Sequence, residues 1–363
     1  MNAERGQPLV TVDARMLRAS GIGTYLRAVA PRLVRRLPEA RFCVLGKVSE
    51  LEREAWTRDS RVECRELSAG VYSALEQPLL FAKTRPETRV FWSPHINVPV
   101  VGPGRLFVTV HDVFYADPPP EARPRLDKAL YIKLVMRALR ARAAAVVCDS
   151  DFTRRELFRL LGPFTCPVAT VHLAVESAGF APPACERPHP LPYVLYSGNL
   201  KPHKNIARML EAFAAIAPRV PHDFLLVGGG DVEAFRRPLP PSLAGRVHFL
   251  GPRDPERMRC YIAHAEGLVL VSLYEGFGLP PLEAMALGVP VLVSREASLP
   301  EVCEDAAIYA DARSVDDIAR GLERLLTDEP ERARLKTRGP TRARELDWDK
   351  SAEQTAELVR PLL

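Results

Sequence analysis

Two carboxylates, Glu275 and Glu283, stand with seven residues between them in the stretch SLYEGFGLPPLEAMALGVP, Ser272 to Pro290. Placed one on a loop and one a turn into a helix, they would face a single ligand. A second cluster, Gly198-Asn199-Leu200-Lys201-Pro202-His203-Lys204-Asn205, joins an apolar run to a helical one. There loop amides, a helix dipole and the Lys204 ammonium would converge on an anion. A third candidate is His111, which directly follows the apolar run Leu106–Val110. A lone histidine most often packs or caps, but at the end of a strand it would sit where open α/β sheets bind ligands.

These side chains need strands that end where the loops begin. Gly267 to Val271 is apolar, and Leu282 to Leu287 is made of good helix formers. Between them Gly276 and Gly278 permit close backbone approach, while Pro280 and Pro281 suit a first helical turn. The amides around Gly276, Phe277, Gly278 and Leu279 would point above the strand ends and favour anions. Further strand-like runs lie at Leu9–Asp13, Phe42–Leu45, Val62–Cys64, ahead of Ser93-Pro94-His95, at Ala145–Cys148 and at Val168–His172. Another set follows at Tyr193–Ser197, Phe224–Val227, Val247–Leu250 and Val291–Val293. Helical patterns alternate with them, which predicts α/β architecture with parallel doubly wound sheets. Gly21 and Gly23 form a Gly-x-Gly after the first strand, a pattern shared by plain turns and phosphate-facing loops. Ser177 to Pro192 holds five prolines and is the best linker. The predicted domains are 1–180 and 190–346, with a terminal helix at 347–363.

The chain has 363 residues, 47% apolar and 26% charged, an ordinary globular balance. A net charge of +5 is compatible with an anionic substrate or membrane surface and too small to argue for nucleic acid. The seven cysteines are scattered and form no C-x-x-C, which argues for a reducing compartment and against zinc or a disulfide scaffold. With a polar start and no bilayer-length apolar run, the expected location is cytoplasmic. A basic amphipathic pattern from Arg125 to Ala144, preceded by a break at Pro118-Pro119-Pro120, fits either a solvated helix face or peripheral contact with anionic lipid at the inner membrane face. Asp149-Ser150-Asp151 is a D-x-D, but a clean helix follows at once, so Ser150 or Asp151 reads as its N-cap. No metal is expected there, nor at Asp347-Trp348-Asp349.

The stretch E-G-F-G-L-P-P-L-E, followed by A-M-A-L-G-V-P-V, resembles the E-x7-E signature of retaining glycosyltransferases of the GT-B fold, in particular the GT4 family. The resemblance covers nearly the whole chain and is strongest from Tyr193 to Ala310. It implies two Rossmann-like domains facing each other across a cleft, with the nucleotide mainly in the second. It places Glu275 beside the transferred sugar, Glu283 on the ribose and Lys204 on the diphosphate. V-T-V-H-D-V places His111 on the sugar's hydroxyls, with Asp112 as its orienting group or a cap. Gly21 and Gly23 would face the donor's phosphates and the acceptor, and His95 would shape the acceptor side. Relatives carry an early arginine in the phosphate loop; here Gly198, Asn199 and Lys201 stand in that region. The implied chemistry is metal-independent hexosyl transfer from a sugar nucleotide to a glycan or lipid-linked acceptor, with no cofactor. GDP-mannose is favoured over UDP-sugars. A 2-epimerase of the same fold would need acid and base carboxylates in the first domain, and a non-catalytic assembly subunit would not need Glu275, Glu283, Lys204 and His111.

Overall fold

Short runs of Val, Leu, Phe and Ala, bounded by turn residues, become buried strands. The computed structural model describes residues 6–118, 125–176 and 181–363. The predicted proline break at Pro119 and Pro120, residues 1–5 and residues 177–180 of the linker lie outside the described residues.

The chain forms two compact units. The first contains β1 (Leu9–Asp13), β2 (Arg41–Gly46), β3 (Val62–Glu66), β4 (Thr88–Ser93), β5 (Arg105–Val110), β6 (Ala143–Cys148) and β7 (Val168–Thr170). They make one parallel sheet in the order β3-β2-β1-β4-β5-β6-β7. The second contains β8 (Tyr193–Ser197), β9 (Asp223–Val227), β10 (Val247–Gly251), β11 (Gly267–Leu270), β12 (Val291–Ser294) and β13 (Ile308–Ala310). Its sheet, also parallel, runs β10-β9-β8-β11-β12-β13. Both orders are those of the Rossmann fold, and the central strands are buried along their whole length, as parallel sheets covered by helices require.

The division falls between Leu173 and Ala174, earlier than residue 180. The proline-rich stretch belongs to the second unit because it is fastened there. Arg259 donates to the Ala181 carbonyl at 2.7 Å. Cys185 is joined to Cys260, on the helix Pro255–Ala263, by a disulfide, contrary to the expectation of none. A separation of 75 residues hides that pairing in the sequence. Trp348–Leu363 groups with the first unit. Its helix Trp348–Val359 carries Asp349 and Glu353 to the Arg36 guanidinium at 3.0 and 2.8 Å, and Ser351 donates to the His172 carbonyl at 2.6 Å.

The basic pattern after Arg125 is a helix, Leu126–Arg142. Its leucines divide. Leu139, with Ile132, Val135 and Met136, faces the core, whereas Leu126, Leu130 and Leu134 are 76%, 57% and 48% exposed. No helix among the described residues is long and apolar enough to cross a membrane.

Candidate functional site

In each sheet the strand order reverses between two central strands, β1 and β4 in the first unit, β8 and β11 in the second. Loops leaving the carboxyl ends diverge at such a point and open a crevice. In the second unit the loops after β8 and β11 carry Lys204 and Glu275, and the fold brings these together: Lys204 Nζ lies 2.7 Å from Glu275 Oε2. Ser272 Oγ donates to Glu275 Oε1 at 2.8 Å. Both oxygens of this mostly buried carboxylate are therefore engaged.

The Lys204 loop is held by the next residue. Asn205 takes a left-handed conformation, φ 62°, which asparagine tolerates better than most residues. Its side-chain amide donates to the carbonyls of Val271 and Ala312 at 3.0 and 2.7 Å, tying the loop to the end of β11. His203 is kept neutral, its pKa pushed down to about 3 by burial and by the Lys204 and Lys201 charges. Burial does most of this, and the smaller share due to the two lysine charges reflects a positive loop, which suits a phosphate.

Gly198 begins this loop, at φ 153°. A Cβ on Gly228 would lie 1.7 Å from the Gly198 carbonyl oxygen, and one on Gly230 would lie 2.7 Å from Leu200 Cβ. The Gly228–Gly230 triplet thus lets two loops lie against each other, with Leu200 N donating to Gly229 at 2.8 Å. Asn199 and Lys201 are exposed at the same edge.

Ser298 sets the turn after Glu275, donating Oγ to the carbonyls of Glu275 and Phe277 at 3.0 and 2.8 Å. Gly278 turns left-handed, φ 105°, and starts the helix Leu279–Ala286. Of the helix-end positions whose amides lack an intrahelical acceptor, Gly278, Leu279, Pro280 and Pro281, the prolines have no N–H. The anion site expected at this terminus therefore offers only the first two amides and the dipole. Glu283, on the same helix, is half-buried and makes no ion pair among the described residues. Burial pushes its carboxyl up to about 7. The two glutamates differ accordingly: Glu275 is paired with Lys204, and Glu283 has no charge partner among the described residues.

In the first unit His111 Nδ1 lies 2.5 Å from Asp149 Oδ2, and Nε2 lies 3.0 Å from the Pro94 carbonyl. Both partners are acceptors, which fits a doubly protonated ring. Burial lowers the His111 pKa, but the Asp149 charge and hydrogen bond outweigh it and raise the value. The orienting carboxylate is thus Asp149 and not Asp112, whose Oδ1 accepts from Phe114 N at 3.0 Å and caps a short turn. Asp149 and Asp151 are both used within the fold, Asp151 accepting from Thr170 Oγ1 at 2.6 Å and pairing with Arg154 at 2.9 Å. Ser150 is the N-cap, accepting from Thr153 N.

Beside His111 lies a pocket of about 150 Å³ lined by Met16, Ile22, Tyr72, Asn97, Asp112 and Tyr115, among others. Under it Glu76, fully buried, accepts from Arg15, Asn97, Tyr72 N and Tyr131. His95 Nε2 is 3.3 Å from Asp13, which Arg15 also grips at 2.6 Å. The Asn97 Oδ1 atom is buried with no hydrogen-bond partner. Gly21 opens the helix Gly21–Arg36 with nothing within 4 Å of a Cβ, whereas a Cβ on Gly23 would lie 2.4 Å from the Leu17 carbonyl oxygen. Gly23 therefore has a packing reason of its own.

Sequence reasoning passed over Asp149, Ser272, Ser298, His203 and Asn205. His203 and Asn205 stand inside the Lys204 loop motif, Ser272 opens the Glu275 stretch, and Asp149 lies in a D-x-D read as a helix cap with no metal, but the sequence assigned none of them these contacts.

The profile of the family described as Glycosyl transferases group 1 matches residues 182–342. The chain is 31% identical over 276 residues to O-antigen chain mannosyltransferase B of Escherichia coli, covering 71% of each protein. It is 33% identical over 162 residues to the MMP alpha-(1->4)-mannosyltransferase of Mycolicibacterium hassiacum, covering 42% of this chain and 39% of that one. Its fold superposes on sucrose-phosphate synthase from Thermosynechococcus elongatus with a TM-score of 0.78 at 21% identity, covering 98% and 99% of the two chains. On the fold, the loops at its strand ends and these relatives, the chain belongs to the group 1 glycosyltransferases, the GT4 family of the GT-B fold, and to their mannosyltransferase-like members.

Proposed function

We propose that this glycosyltransferase moves a mannosyl unit from GDP-mannose to an acceptor hydroxyl, with retention at the anomeric carbon and without a metal, in polysaccharide or glycolipid assembly. The observation that carries this reading is the Lys204–Glu275 pair, 2.7 Å apart at the switch point of the second sheet. The donor preference rests on the mannosyltransferase names of the relatives.

Breaking the bond from C1 to the phosphate oxygen leaves positive charge on the sugar and negative charge on the diphosphate. Lys204, with the Gly278 and Leu279 amides, would stabilise the leaving oxygen, work that a metal does elsewhere. Glu275 would hold the sugar's hydroxyls. With its oxygens engaged by Ser272 and Lys204, it is poorly placed to attack C1. The acceptor oxygen bonds to C1, and its proton passes to the departing phosphate oxygen. Glu283 would accept from the ribose hydroxyls. His111, with both ring N–H groups taken by Asp149 and the Pro94 carbonyl, would turn towards a sugar hydroxyl by exchanging the Pro94 carbonyl for it, and the pocket beside it would seat the acceptor, where Asn97 Oδ1 offers a free acceptor atom.

The helix Leu126–Arg142 is the proposed contact with anionic lipid. Exposed Leu126, Leu130 and Leu134 lie on one stripe at helical spacing, flanked by exposed Lys133, Arg137 and Arg140.

A thermal-shift panel of GDP, UDP, ADP and dTDP, each with and without EDTA, tests the reading. A stabilisation by GDP alone that EDTA leaves unchanged is the expected result. A stabilisation by UDP alone moves the donor to a UDP-sugar, one that EDTA abolishes refutes metal independence, and none at all refutes the nucleotide site.

A further inference from the structure

The ligand crevice lies at the carboxyl ends of the strands in the second unit. At the opposite edge three side chains converge that the transfer chemistry does not use. Asp223 is the first residue of β9, His248 the second of β10, and His189 lies on the segment entering β8. His189 Nε2 and His248 Nε2 lie 2.7 and 2.9 Å from the same oxygen, Asp223 Oδ2, and the two rings are 4.9 Å apart between centroids. All three ligand atoms fall within 4.8 Å of one another.

The environment is mixed in a way that suits an ion. Asp223 is 2% exposed on its side chain, and its Oδ1 is buried with no hydrogen-bond partner; the Arg246 Nε lies 3.8 Å from it, beyond hydrogen-bonding range. A buried, unsatisfied carboxylate oxygen is costly and calls for a ligand or an ion. The histidines, 16% and 33% exposed, keep the entrance open to solvent. We infer that His189, Asp223 and His248 form a binding site for a divalent cation of the zinc class.

Two imidazoles and one carboxylate are a donor set that zinc and neighbouring transition metals prefer, with a water in the remaining position. Bonds of about 2.0–2.2 Å place tetrahedral ligand atoms roughly 3.3 Å apart, so each histidine nitrogen would move away from Asp223 Oδ2 by about half an ångström. The ion would bridge β9 and β10 to the segment that enters β8, the same proline-rich stretch that the Cys185–Cys260 disulfide fastens to the helix Pro255–Ala263. It sits a strand's length, on the order of 16 Å, from the Lys204–Glu275 pair, and its role is to pin that segment, not to take part in transfer.

The test uses the full chain without a histidine tag, freed of metal by a chelator and then titrated with Zn²⁺ or Co²⁺ under equilibrium dialysis with elemental analysis. One ion per chain is expected, with a higher melting temperature in its presence. His189→Gln and His248→Gln should each weaken binding by at least roughly tenfold. Both variants should keep the nucleotide-induced thermal shift, so a failure here is separable from a failure of the transferase reading. No stoichiometric binding overturns the proposal. So does binding that both variants retain, because the ion then sits on other groups such as the free cysteines.

Discussion

Replacing Glu283 by Gln should make the protein more stable and worse at binding nucleotide. The carboxyl titrates at about 7 in the fold against 4.5 in an open chain. A group whose folded pKa is raised contributes stability below its unfolded pKa and loses it as pH rises through the folded one. At about 1.4 kcal/mol per pH unit, the ionised Glu283 withholds ~3 kcal/mol of stability at pH 8. At pH 5 the loss is below about 1 kcal/mol, because the folded carboxyl is still protonated there. Gln copies the protonated form at every pH. The variant should therefore melt several degrees higher than the parent at pH 8, given about 2–4 °C per kcal/mol for a domain of this size, and close to the parent at pH 5. Water reaching the half-buried side chain makes the higher figure a ceiling.

Binding should move the other way. A carboxylate accepting ribose hydroxyls is worth about 1.5–3 kcal/mol more than an unfilled place, so Glu283→Gln should lose roughly tenfold to a hundredfold in nucleotide affinity at pH 8. In the parent, affinity should rise on the order of tenfold between pH 6 and pH 8 as the carboxyl ionises. The nucleotide's own phosphate also titrates near pH 6, with a pKa of about 6 for a terminal phosphate group. The variant keeps that contribution and isolates the part due to Glu283. Calorimetric melting and titration calorimetry at three pH values read both effects. A variant no more stable than the parent at pH 8 refutes the raised carboxyl, and unchanged nucleotide affinity refutes its place on the ribose.

Lys204→Ala should leave the fold intact and lower turnover by roughly 10²–10³, the cost of losing one preorganised stabiliser of developing charge; unchanged turnover by the purified variant removes the diphosphate role. Gly23→Ala should lose about 1–3 kcal/mol in denaturant unfolding, because its Cβ meets the Leu17 carbonyl at 2.4 Å, while Gly21→Ala, with open space around it, should change stability little and report on ligand alone. Asp149→Asn should destabilise the protein more at pH 6 than at pH 9: the raised His111 pKa contributes below the unfolded value and is lost as pH rises through the folded one. Equal losses at both pH values in melting experiments refute a charged His111. Leu130→Ser with Lys133→Glu should cut sedimentation with anionic vesicles and leave the melting temperature unchanged, since both side chains are exposed.

The parallel, doubly wound sheets were legible because apolar runs alternate with helical ones and each run is short. So was the edge at which the candidate residues would lie, because a parallel strand delivers whatever follows it to one side of the sheet. What the strand pattern does not carry is which loop touches which. Lys204 and Glu275 are 71 residues apart, and their pairing follows from β8 and β11 being neighbours across the switch point, a matter of strand order. Asp149 illustrates the same limit: β5 and β6 are adjacent, so the residue after β6 reaches the histidine after β5, while Asp112, next in sequence to His111, turns to its own backbone. Sequence neighbours on an extended chain point to opposite sides, so the partner of a strand-end residue is better sought at the end of the adjacent strand. The Cys185–Cys260 pair and the His189–Asp223–His248 cluster belong to this class too. Each joins the stretch entering β8 to elements far along the chain, and spacing rules that look for ligands close in sequence pass over both.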